Sequence, residues 1–317
     1  MGWRPWREAW GDALYGPHGF YRRVEGPAGH FTTSTHGQLG ALLATALGTL
    51  ADRIGATSVV DIGCGRGELL THLATQRPDL RLVGVDVVAR PPSLPDTVGW
   101  EQSLPGQLLP DGVTDLTDTL VLAHEWLDVI PCMIAEVDEA GVVREVEVDR
   151  QGRERLGGPV TDADLSWCAT HWPLEGLPAG TRVEVGLARD EAWRALLARV
   201  RSGTVVAVDY GHTQQRRPLD GTLTAYRQGD VTTPVPDGTC DLTAHVAMDS
   251  LGADSLMTQR VALRDLDLSS AAPSRELALA EPAEYLAALA RHSAVAALID
   301  PGGLGGFWWA VHGVRAD

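Results

Sequence analysis

The chain has 317 residues, 44% of them hydrophobic, enough for one large domain with insertions or for two domains. It contains no lysine and no asparagine, so all 26 basic residues are arginines, which excludes a Schiff-base lysine, a P-loop lysine and N-glycosylation. The net charge of -16 speaks against the phosphate backbone of a nucleic acid as partner and is compatible with a cationic one.

No run approaches the about 18 apolar residues of a membrane span. The start, MGWRPWREAW, lacks the apolar core of a signal peptide. Cys64, Cys132, Cys168 and Cys240 are dispersed and form no C-x-x-C pair, so reduced thiols in a cytoplasmic protein are expected. His18, His30 and His36 match no zinc spacing, and no metal site is expected.

Residues 1–57 read as an amino-terminal helical arm and a loop that covers a cofactor. Trp3, Trp6, Trp10 and Leu14 recur at helical spacing, and the loop YGPHGFYRRVEGPAGHFTTST follows. A second helix places Leu39, Leu42, Leu43, Ala46, Leu47, Leu50 and Ile54 on one face. From residue 58 strands and helices alternate: SVVDIG, then GELLTHLATQ, then LRLVGVD, and further on the apolar strand TLVLAHE. That is the rhythm of a parallel sheet covered on both faces, an α/β core expected over 58–317.

Residues 131–180 interrupt it. CMIAEVD and GVVREVEVD alternate like a hairpin around Glu139-Ala140-Gly141, and Trp167 and Trp172 fall in a loop-rich stretch. An inserted substrate-side subdomain is expected there. The rhythm resumes with RVEVG, the helix RDEAWRALLARV and the strand GTVVAVDYG. The tail from about 253 reads as mostly helical, with Pro282 opening a helix through Leu298 and GFWWAVHGV as a closing strand.

The stretch VVDIGCGRGELL, residues 59–70, is a strand, a glycine turn and a helix start. Its glycines are Gly63, Gly65 and Gly67. A dinucleotide fingerprint wants a small residue where this chain has Glu68. A carboxylate in the first helical turn opposes a pyrophosphate, which disfavours an NAD-dependent enzyme. S-adenosylmethionine has no phosphate and carries a sulfonium and an ammonium group, which Asp61 suits. Asp86, nineteen residues after Gly67, ends the second strand and suits two ribose hydroxyls.

Six segments together resemble one family. YGPHGFYRR with GHFTTSTHGQLG, then VVDIGCGRGELL, LAHEWLDVIP, VVAVDYG, GTLTAYRQ and DLTAHV resemble the motifs of MidA-type methyltransferases, in that family's order, between residues 15 and 246. The resemblance implies a class I, Rossmann-like methyltransferase that uses S-adenosylmethionine and releases S-adenosylhomocysteine. Its members include a mitochondrial complex I assembly factor that methylates a protein arginine. Thr33 and Ser34 of the arm motif join Asp61, Gly63, Gly65, Gly67, Asp86 and Glu101 as expected cofactor residues. The chain departs from the family at His30 for Asp, Thr35-His36 for Pro-Glu, Cys64 for Pro and His124 for Asn.

Methyl transfer asks a protein to position a nucleophile and remove its proton. Glu125 and Asp128, three apart after a strand, share a face if a first helical turn follows. They either grip a guanidinium or merely cap that helix. His124 either serves as base, its ordinary pKa being near neutrality, or packs. Asp209 and Tyr210 either line the same cleft or end a strand. Tyr226, Arg227, Asp241 and His245 are assigned to the substrate side, where cross-strand pairing explains them equally well. The reading is an enzyme methylating an N or O nucleophile, with a protein arginine as the acceptor the resemblance implies. The alternative is a non-catalytic assembly or interaction protein that keeps the S-adenosylmethionine pocket.

Overall fold

The computed structural model describes residues 2–23 and 34–315. Strand β1 (Arg4–Pro5) leads into helix α1 (Trp6–Tyr15), with Pro5 ahead of the first turn, where no N–H donor is needed. Trp3 lies outside that helix. Helix α2 (Gly37–Ile54) stops at Gly55, whose left-handed backbone (φ 68°) lets the carbonyls of the last turn be capped. Then follow β2 (Ser58–Ile62), α3 (Glu68–Gln76), β3 (Arg81–Asp86), β4 (Val98–Gln102) and β5 (Thr119–His124). The interrupting region supplies β6 (Met133–Val137), β7 (Val143–Val148), β8 (Glu154–Pro159), α4 (Asp162–His171) and β9 (Arg182–Val185). Helix α5 (Leu187–Leu197) and β10 (Gly203–Asp209) come next. Short strands follow: β11 (Gly211–His212), β12 (Thr224–Arg227), β13 (Asp230–Thr232), β14 (Asp241–Thr243) and β15 (Val246–Ala247). The chain then runs through β16 (Ser255–Thr258), α6 (Gln259–Asp265), α7 (Arg275–Ala280), α8 (Pro282–Leu298) and β17 (Trp308–Val314).

The main sheet has the order β16-β17-β10-β5-β2-β3-β4. The five strands from β10 to β4 are parallel, while β17 runs antiparallel to β10 and β16 antiparallel to β17. Side-chain alternation along each strand builds two cores. On β5, Leu120 and Leu122 pack with α2, α3, α6 and α8, whereas Val121 and Ala123 pack with α5. In register, Ile62 of β2 pairs with Val85 and Ala123, and His124 pairs with Val208. The carboxyl ends of β2, β3, β5 and β10 therefore open on one edge.

A second, antiparallel sheet, β1-β7-β6-β9 with β8 on β7, stands beside that edge. Ile134 of β6 faces Trp6, Trp10 and Leu14 of α1, and Met133 and Ala135 face Trp167 and Trp172. This arrangement corrects three expectations. The arm is divided, since α1 covers the second sheet and α2 covers the main one. RVEVG does not resume the parallel rhythm: β9 pairs antiparallel with β6, covering its edge, so this sheet extends to Val185. Trp167 lies on a helix and not in a loop. Thr161 caps α4 by accepting from the Asp164 N–H at 3.3 Å, but only one side of this short helix is buried, so no long apolar stripe marks it. The tail from 253 carries β16 as well as its helices. A third small sheet, β13-β12-β14, is tied to α1 where Trp10 Nε1 donates to the Leu242 carbonyl at 3.0 Å. Among the described residues no helix is long and apolar enough to cross a membrane.

Candidate active site

A cleft of about 980 Å³ lies over the carboxyl edge of the main sheet, within the range of small-ligand sites. Its first half is the turn between β2 and α3. Gly63 has φ 69°, and a Cβ there would sit 2.9 Å from Trp126 Cδ1. Gly67 has φ 77°, and a Cβ there would sit 2.5 Å from Leu94 Cδ1. Side chains are thus excluded by backbone strain and by space. Gly63 and Gly65 line the cleft. Gly67 does not: it caps α3 and packs under Leu94, which corrects its expected cofactor role.

Asp86 ends β3 and is held by backbone. Its Oδ2 accepts the Gly65 N–H at 2.8 Å and its Oδ1 the Val88 N–H at 3.2 Å. Burial raises its pKa to about 6, opposed by those amides. Asp61, deeper in β2, is pushed up to about 8, first by burial and then by Asp86 and Glu68. Glu101 does not reach the cleft. Strand alternation turns it toward Gly112, where a Cβ would meet Glu101 Oε2 at 2.6 Å, and its neighbours Gln102 and Ser103 line the cleft instead. Thr33 and His30 lie outside the described residues.

The second half is built on residues 125–130, which form a turn and not the expected first turn of a helix. Glu125 itself is left-handed (φ 51°), a conformation no helix contains. Asp209, fully buried at the end of β10, accepts the N–H groups of Leu127 and Asp128 at 3.1 Å each, and Tyr210 N–H at 3.0 Å. It therefore anchors the turn and does not line the cleft, a correction to its substrate-side assignment. Arg189, also buried, donates to the carbonyls of Asp128 (2.7 Å), His245 (2.8 Å) and Ile130 (3.3 Å), clamping the same turn.

Three carboxyl groups face this half: Glu125, Asp128 and Asp241. Asp128 Oδ2 accepts from Thr243 Oγ1 at 2.6 Å and from the Tyr210 hydroxyl, while its Oδ1 is buried without a protein partner. Asp241 Oδ1 accepts from the Tyr21 hydroxyl at 2.7 Å, and Tyr226 pairs across from it in the strand register. Burial pushes Glu125 and Asp241 up to about 8, reinforced by Asp128, and raises Asp128 as well. Burial, then the neighbouring carboxyls, hold the hydroxyls of Tyr21 and Tyr210 well above their ordinary pKa, so both remain donors. The Tyr210 ring meets His245 and Phe307 edge-on, with centroids 5.4 Å away in each case.

His124 lines the cleft, but burial lowers its pKa to about 4, which corrects its expected role as a base: near neutrality it is uncharged and a poor proton acceptor. Arg227 is exposed and donates to Thr239 Oγ1, away from the cleft, against its assignment to the substrate side. Ser34, Asp61, Gly63, Gly65, Asp86, His124, Glu125, Asp128, Tyr210, Tyr226, Asp241 and His245 do converge. Tyr15, Tyr21, Trp126, Thr243 and Arg189 were not among the expected site residues. Tyr15, Tyr21 and Thr243 lie within motifs that carried the resemblance, but nothing local marks Arg189, a helix residue whose partners come from two loops.

Residues 71–261, more than half of the chain, match the family model described as "Putative S-adenosyl-L-methionine-dependent methyltransferase". A crystal structure of a COG1565 superfamily member from Burkholderia thailandensis, bound to S-adenosyl-homocysteine, matches with a TM-score of 0.75 at 22% identity, over 98% of this chain and 87% of that one. A native structure from the same superfamily and organism matches with a TM-score of 0.74 at 23% identity, over the same shares. At these identities the likeness shows a common mixed α/β fold. No curated protein matches the chain.

Proposed function

The chain belongs to this family of S-adenosyl-L-methionine-dependent methyltransferases, and from that premise we propose that it methylates a guanidine nitrogen of a protein arginine. The residues of the first half fit the cofactor. The glycine turn leaves open space over Gly65, whose Cβ would meet nothing nearer than Glu68 Oε2 at 3.7 Å, and the buried Asp61 and half-buried Asp86 carboxyls stand beside it. Asp86, braced by backbone amides, keeps lone pairs for ribose hydroxyls, and Asp61 faces the cationic end. When bound, S-adenosylmethionine supplies an electrophilic methyl group.

The observation that carries the acceptor assignment is the gathering of Glu125, Asp128 and Asp241 at one end of the cleft, with Asp128 Oδ1 buried and unpartnered. A buried acceptor oxygen without a donor costs free energy that an incoming N–H recovers. A guanidinium offers five such donors in a plane and the positive charge that three crowded carboxyls need. Asp128 and Asp241, fixed by Tyr210, Thr243 and Tyr21, orient the guanidinium. Glu125 takes the proton from the nitrogen as its bond to carbon forms and the sulfur–carbon bond breaks, leaving S-adenosylhomocysteine. Tyr15, Tyr21, Tyr210 and Tyr226 wall this part of the cleft. The sheet order, with the single reversed strand β17, supports the class I, Rossmann-like reading, and the motif order supports the MidA-type one. The second sheet, in this reading, is the substrate-side subdomain, and the acceptor is a protein segment laid between it and the main sheet.

Radiolabel transfer from S-adenosylmethionine to matched peptides carrying arginine, lysine, histidine or tyrosine tests this. Labelling of the arginine peptide alone is expected. Transfer confined to an oxygen or imidazole acceptor overturns the guanidine assignment.

A further inference from the structure

Arg189 is the third residue of α5 and is 1% exposed. Both facts run against local preference. A cation in the first turn opposes the helix dipole, and a buried guanidinium is costly unless its charge is answered. Yet among the described residues no carboxylate is paired with it, and all three of its nitrogens go to main-chain carbonyls. Nη2 donates to Asp128 at 2.7 Å, Nη1 to His245 at 2.8 Å and Nε to Ile130 at 3.3 Å. The Asp128 carbonyl also accepts the Ala244 N–H at 3.3 Å. Trp10 of α1 packs on the same junction, its ring centroid 5.7 Å from the guanidinium carbon. One side chain thus joins the turn that carries Glu125 and Asp128 to the loop that follows Asp241 and Thr243.

We propose that Arg189 is a positioning residue for methyl transfer. Its fork holds the two carboxyl-bearing segments together, and its charge favours an ionised Asp128 while leaving Oδ1 to the acceptor. The inference rests on the reading of Asp128 as a group that orients the acceptor.

The turn is gripped by both polarities. Asp209 accepts the N–H groups of Leu127 and Asp128, and Arg189 donates to the carbonyls of Asp128 and Ile130. Two opposite charges are therefore linked through peptide groups. The same detour serves Asp128. A guanidinium paired directly with its carboxylate would occupy the oxygens, whereas Oδ1 is left without a protein partner. Bound to the carbonyl of that same residue, the positive charge still stands close enough to act on the carboxyl through a medium poorer than water. Burial raises Asp128, and the bonds from Thr243 and Tyr210 and then the charge of Arg189 oppose it. The groups facing Asp128 from the other elements are acids: Glu125 on its own turn, Asp209 and Tyr210 at the end of β10, Asp241 of β14 and Tyr226 of β12. Tyr15 and Tyr21 of the amino-terminal segment are acids too. His245 is a base, but burial holds its imidazole below its ordinary pKa, so near neutrality it brings no charge. A lysine would not serve in place of Arg189, because an ammonium is a point charge and has no fork to span three carbonyls.

The test uses the full chain with S-adenosylhomocysteine bound and needs no methyl acceptor, so its failure is separate from a failure of the arginine assignment. Carbon-13 titration follows labelled aspartate and glutamate carboxyls, with Asp128, Asp241 and Glu125 assigned from Asp128→Asn, Asp241→Asn and Glu125→Gln. Asp128 is expected to lose its proton before Glu125 and Asp241, a reading that needs no change at Arg189. Asp128 ionising after either of them overturns the proposal. In folded Arg189→Met the Asp128 midpoint is expected to rise by about one unit, and a midpoint that stays in place overturns the proposal equally. Arg189→Lys keeps the charge without the fork. Its Asp128 midpoint is expected to stay within about half a unit of the parent, while amide exchange quickens about tenfold in both 127–130 and 244–246. Exchange unchanged in either segment would show that Arg189 does not join them.

Discussion

Both halves of the cleft are built on buried or half-buried carboxyls, but they hold them by different means. On the cofactor side Asp86 is braced by the N–H groups of Gly65 and Val88, within one turn and its neighbouring strand. On the proposed acceptor side Asp128 and Asp241 are held by the hydroxyls of Tyr210, Thr243 and Tyr21, delivered from the end of β10, from β14 and from the amino-terminal segment. Backbone bracing makes a site that any side-chain change outside the turn leaves standing. Hydroxyl bracing makes one that exists only when several separate elements have docked. The first suits a cofactor of constant shape, and the second suits an acceptor that must be recognised in its context.

The sharpest way to break that contrast is Glu125→Gln. It keeps the shape of that half and removes the proposed proton acceptor, so kcat is expected to fall about 10²- to 10⁴-fold while calorimetry finds S-adenosylmethionine binding unchanged. Retained turnover would move the base elsewhere. Gly67→Ala attacks the other half through its backbone. A left-handed alanine costs about 1–2 kcal/mol, and driving a methyl into Leu94 costs about 1–3 kcal/mol more. The denaturation midpoint is expected to drop accordingly, and an unchanged midpoint would show that the turn has room to give.

Asp86→Ala removes a carboxyl that makes charge-assisted bonds. S-adenosylhomocysteine is expected to bind about 30-fold more weakly, or about 2 kcal/mol, with the acceptor half undisturbed. A loss under threefold would mean that Asp86 serves the turn and not the ligand.

A further effect is expected with pH. Asp61, Glu125 and Asp241 titrate near 8 in the folded chain, where burial favours the uncharged acid. In an unfolded chain they titrate near 4. Between those values the native state holds more protons than the unfolded one, so stability falls as pH rises from about 4 to about 8. A cationic ligand reverses the preference by favouring the ionised groups. Its affinity is expected to rise with pH across 6 to 8, by up to about tenfold per unit for each proton displaced. Titrations in two buffers of different ionisation heat would read the protons released, and a pH-independent affinity with no release would show that the carboxyls are already charged.

Much of the cofactor half was legible in the residues because its determinants are local. Gly63, Gly65 and Asp86 follow from a strand, a turn that tolerates no side chain, and a strand end next door. Two errors there were also local in origin. Gly67 shares the spacing but caps a helix, and Glu101 sits one residue out of phase, where a period of two sends it to the opposite face. In the acceptor half the candidate carboxyls were identified and their geometry was not. Glu125 and Asp128 stand three apart for a reason that has nothing to do with a helix.

By itself the sequence determined the alternating α/β core, the hairpin at Glu139–Gly141, the glycine turn and the class of cofactor, because each depends on residues near one another and on the periodicity of one element. Only the tertiary structure decided which groups hold the acceptor half. Tyr210 reaches Asp128 across 82 residues, Thr243 reaches it across 115, and Tyr21 reaches Asp241 across 220. It also divided the arm between two sheets and drew β9 to the second. A side chain's chemistry is written in its residue type, but its partner and its proton affinity come from what burial brings beside it, and burial is a property of the whole fold.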